Sequence, residues 1–61
     1  MKIEVKHNGK WVKVWEGKQR GRSPEQVVCS EVGVYRDNLE TTDDPNVHLD
    51  AITGELYRTA S

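Results

Sequence analysis

At 61 residues and 7.0 kDa, the chain has room for one small domain, residues 1–61, and not for separate catalytic and substrate domains. A single cysteine, Cys29, with only His7 and His48 beside it, excludes an internal disulfide and a structural zinc site. The formal net charge of −1 conceals a polarity, because residues 1–22 sum to +5 and residues 23–61 to −6; such asymmetry points to an interaction surface or to attraction between the halves.

In chain order, the first signal is Asn8-Gly9, which supplies both positive-φ positions of a type I′ turn between "KIEVKH" and "KWVKVWEG". A two-residue hairpin is expected, pairing Lys6 with Trp11, Val5 with Val12, Glu4 with Lys13, Ile3 with Val14 and Lys2 with Trp15. Alternation along each strand then gives a core face of Ile3, Val5, Val12 and Val14. The opposite face carries Lys2, Glu4, Lys6, Trp11, Lys13 and Trp15.

"GKQRGR" reads as a polar loop. "SPEQ" reads as a helix start, with Ser23 as N-cap, Pro24 at the first helical position and Gln26 completing a capping box. The spacing of Val28, Val32, Tyr35 and Leu39 predicts a helix over about 24–38, with "EVGVYR" as the competing strand and Gly33 as an unfavourable interior residue. Asp44-Pro45-Asn46-Val47 fits a type I turn. "VHLD" and "ELYR" form a second hairpin closed through Gly54.

The expected fold is therefore α+β: a small single-layer antiparallel sheet with one helix packed on it, in the order ββαββ. Its expected core draws on Ile3, Val5, Val12, Val14, Val28, Val32, Tyr35, Leu39, Val47, Leu49, Ile52 and Leu56. So small a core gives modest stability, to which a homodimer or bound partner would add.

No phosphate-binding loop, nucleophile elbow or metal pair at helical spacing is present. No catalytic residues, cofactor or metal are expected; Cys29 and His48 are the one reactive pairing the chain offers, and the plainer reading is a buried thiol and a polar strand face. "DNLETTDD" lacks the calcium-loop pattern and reads as a solvated acidic loop. "QRGRSP" resembles the Arg-Gly-Arg-Pro core of AT-hook segments over a few residues. It departs from that core at Ser23, between Arg22 and Pro24, and assigns no family.

Two indoles set among lysines suit a protein interface, so Trp11, Trp15, Lys2, Lys6 and Lys13 are the candidate partner-binding residues. The alternative is nucleic-acid binding through the basic hairpin and loop, with Lys18, Arg20 and Arg22 as phosphate contacts; the sequence pI of about 6.1 weighs against it. With no membrane-length apolar stretch and no signal-like core, the expectation is a non-enzymatic cytoplasmic binding protein. Its role would be regulatory or inhibitory, of the type met in phage and mobile-element genomes.

Overall fold

The computed structural model describes residues 1–61 as one antiparallel sheet and one helix. The strands are β1 (Lys2–His7), β2 (Lys10–Glu16), β3 (Leu39–Thr41), β4 (Val47–Asp50) and β5 (Leu56–Ala60), arranged in space as β2-β1-β5-β4-β3. The helix α1 (Pro24–Val32) lies between the two hairpins in sequence. The α+β class and the ββαββ order thus hold, with the short β3 added at an edge of the sheet. No helix is long and apolar enough to cross a membrane.

Local chemistry accounts for most element boundaries. Asn8 and Gly9 sit at φ 50° and 76°, the left-handed pair a type I′ turn requires. The Ser23 hydroxyl accepts from the Gln26 backbone N–H at 3.2 Å while the Gln26 side chain accepts from the Ser23 N–H at 2.8 Å, a complete capping box. Gly33 does not sit inside the helix. At φ 76° it terminates α1, so the expected helix over 24–38 stops at Val32, and a 3-10 turn follows at Arg36–Asn38. The Val47 N–H bonds the Asp44 carbonyl at 3.0 Å, closing the expected turn.

The largest departure is in the first hairpin. Val5 pairs with Val12 and Glu4 with Lys13 as expected, but Ile3 then pairs with Trp15 and Lys2 with Glu16. One residue, Val14, is bulged out. Everything beyond it in β2 changes face, so Trp15 turns to the helix side, where it packs against the core. Val12 and Val14, expected in the core, are 46% and 47% exposed.

The core consists of Ile3, Val27, Val28, Val34 and Tyr57. Tyr35 and Ile52, also expected inside, are 80% and 74% exposed, because the helix ends before Tyr35 and Ile52 lies in the β4–β5 turn. The register places His48 opposite Tyr57 and Ile3 opposite Thr59, so the inner face of the second hairpin carries Tyr57, Thr59, His48 and Asp50, all buried. Val47, Leu49 and Leu56, expected beneath the helix, lie half-buried on the opposite side. Asp50 tolerates burial because its carboxylate caps the turn, accepting from the Ile52 and Thr53 N–H groups at 2.9 and 3.3 Å.

Candidate interaction surface

The sheet has two unlike faces. Helix α1 covers one, and no element of the chain covers the other. The open face takes alternate residues of every long strand: Lys2, Glu4 and Lys6 from β1, Trp11 and Lys13 from β2, Leu56 and Arg58 from β5, Val47 and Leu49 from β4.

Trp11 is the anchor of this face. It stands opposite Lys6, whose ammonium is 5.9 Å from the ring centroid. The Arg58 guanidinium lies 4.5 Å from the same centroid, within cation–π range. Arg58 is also held by Glu4, which accepts from its Nε and Nη2 at 2.9 and 2.7 Å through one carboxylate oxygen. Glu4 is thereby neutralised in place, and three strands lock one indole into a fixed orientation. Beside this cluster, Val47, Leu49 and Leu56 form a half-buried apolar strip on β4 and β5.

The candidate lysines are differently placed. Lys13 donates to Glu16 at 2.8 Å, a contact across three residues of a strand that the Val14 bulge makes possible by bringing both to one face. This hydrogen bond, reinforced by the opposite charges, raises the Lys13 pKa and lowers that of Glu16. The molecule's ion pairs are Lys13–Glu16, Arg22–Glu31 and Arg58–Glu4. Lys2 and Lys6 are therefore unpaired and leave the open face with a surplus of positive charge.

Trp15 does not share this face, which corrects the expected two-indole surface. It stands instead beside the 17–22 loop, bordering a shallow hollow with Gly17, Lys18, Arg20 and Arg22. In that loop Arg22 is a structural tie: it donates to the Gln19 and Lys18 carbonyls and to Glu31, each at 3.0 Å. Lys18 and Arg20 make no ion pair. The sequence-predicted residues thus separate into Lys2, Lys6, Trp11 and Lys13 on the open face, and Trp15, Lys18, Arg20 and Arg22 at the hairpin's open end.

Arg58, Leu49 and Leu56 were missed as surface residues by sequence reasoning. The available signal was the alternation in "LYRT", which puts Arg58 on the side of Leu56 and away from Tyr57. No group of three or more His, Cys, Asp or Glu side chains converges as a metal site. Comparison of the chain with protein-family models, curated proteins and solved structures finds no match.

Proposed function

We propose that this is a non-enzymatic, cytoplasmic binding protein that contacts a protein partner through the open face of its sheet, in a regulatory or inhibitory role. The observation carrying this reading is the half-exposed indole of Trp11, clamped between cationic side chains and flanked by Val47, Leu49 and Leu56 on a face that nothing in the chain covers. A pre-ordered aromatic side chain with an apolar neighbourhood and a charged rim has the composition of a protein-interface hot spot. The unpaired Lys2 and Lys6 favour an acidic partner surface.

The geometry favours protein over nucleic acid as the ligand of this face. A base stacking on Trp11 would compete with the Arg58 guanidinium at 4.5 Å, and the β4–β5 aliphatic strip offers a phosphate backbone nothing.

The test is capture from the native cell with wild-type and folded Trp11→Ala protein as paired baits, each with and without nuclease. The expected outcome is a nuclease-resistant partner whose affinity for Trp11→Ala falls by about 2 kcal/mol or more. Lys6→Glu should slow association most at low salt, since exposed charge is screened. Equal binding by the Trp11 variant, or loss of the partner on nuclease treatment, rejects the reading; the second result transfers attention to Lys18 and Arg20.

A further inference from the structure

On the other side of the sheet, a cleft of about 480 Å³ opens between α1 and the β3–β4 edge, a volume in the range of small-ligand sites. Apart from Cys29 and Leu39 its walls are polar. His48 lines it from β4, 2% exposed, with neither Nδ1 nor Nε2 hydrogen-bonded within the chain. A buried imidazole without a partner is costly, and its cross-strand neighbours, Thr41 and Tyr57, do not relieve it.

The charges lining the cleft are also uncommitted. Arg36 and Glu25 make no ion pair, while Arg22 is already held by Glu31 and Glu40, at the rim, is the cross-strand partner of Leu49 and so belongs to the open face. Burial raises the Cys29 pKa, with Arg36 opposing and Glu25 adding to the shift; both charges therefore act close to the thiol, which stays protonated at neutral pH. That suits ligand binding and not thiolate chemistry. A simple anion entering here would meet the free Glu25 carboxylate, and a simple cation would meet Arg36.

We infer that the cleft binds a small zwitterion of the amino-acid class, its carboxylate between Arg36 and the His48 imidazole and its ammonium toward Glu25. Such a ligand pairs both free charges and gives the buried imidazole a partner. The site is on the helix side of the sheet and independent of the Trp11 face.

NMR titration of the isotope-labelled chain with glycine, glutamate and lysine tests this, with acetate and methylamine as single-charge probes. The expected result is saturable shifts at Cys29, Arg36, Thr41 and the His48 ring for at least one amino acid, about tenfold tighter than for either single-charge probe. Arg36→Ala should weaken binding about tenfold or more. His48→Leu should abolish it without lowering Tm, since replacing an unpartnered buried polar group by an apolar one of similar size is close to neutral. The proposal is overturned by no saturable response up to about 10 mM, by equal response to acetate or methylamine, by indifference to both substitutions, or by shifts confined to Trp11, Leu49 and Leu56.

Discussion

The two tryptophans differ in what surrounds them, and substitutions should separate them. Trp15 packs against the core, and a Cβ added to Gly17 would lie 2.5 Å from its Cζ2. Glycine at 17 is thus a requirement of ring packing. Gly17→Ala should cost about 1–3 kcal/mol in urea unfolding, the usual penalty of overpacking. In a Trp15→Leu background most of that cost should vanish, since the clashing ring is gone. An undiminished cost there would assign the effect to the backbone of the loop. Trp11, by contrast, is held from outside by Arg58 and Lys6, so its truncation should be felt more in binding than in stability.

Among the elements, α1 is nine residues long with two fully buried side chains, Val27 and Val28. Helices this short are marginal alone, so capping matters. Ser23→Ala removes the acceptor for the Gln26 N–H and should destabilise by about 0.5–2 kcal/mol. Ser23→Asp should retain most of the stability, because a carboxylate accepts the same bond and favours the positive end of the helix dipole. If Ala and Asp behaved alike, the cap would not be contributing. Strand β2 shows the opposite relation between local signal and outcome: one bulged residue sends Trp15 to the core and brings Lys13 to Glu16. Bulges and lysines also blunt an edge strand against unwanted pairing, which suits the exposed Val12 and Val14.

For the whole molecule, the charge polarity along the chain is only partly cancelled by folding. Of the two ion pairs that join the halves, Arg22–Glu31 sets a cation of the basic half against an anion of the acidic half, whereas Arg58–Glu4 pairs the minority charge of each; Lys2, Lys6, Lys10, Lys18 and Arg20 remain unpaired. Global stability should carry an alkaline limb. Burial chiefly, with the negative charges of Glu55 and Asp50, raises the Tyr57 pKa above its ordinary value of 10.0. A group raised in the folded state contributes nothing to the pH dependence below its unfolded value; stability then falls as pH climbs from there through the folded value. Denaturant midpoints should decline above about pH 10, and Tyr57→Phe should flatten that decline. An unchanged slope in the Phe variant would place the alkaline sensitivity elsewhere, with the Cys29 thiol, also raised by burial, as the group to examine.

What the sequence determined by itself was local. Asn8-Gly9, the Ser23-Pro24-Gln26 cap and the Asp44–Val47 turn each act through hydrogen bonds and φ preferences within a few residues, so they were legible without knowing the fold. The tertiary structure decided which side of each strand is inside. "VHLD" alternates whichever face is buried. Only pairing His48 with Tyr57 beneath a helix that ends at Gly33 turns His48 and Asp50 inward and Val47 and Leu49 outward. Likewise, no residue near Val14 announces the bulge, since it reflects the placing of the large Trp15 ring against Ile3, Gly17 and the helix. The Trp11–Arg58–Glu4 cluster joins residues up to 54 positions apart, and the cleft over His48 joins residues from α1, β3 and β4. Period-2 patterning states that a strand has two faces; the choice between them is made by the element packed against it.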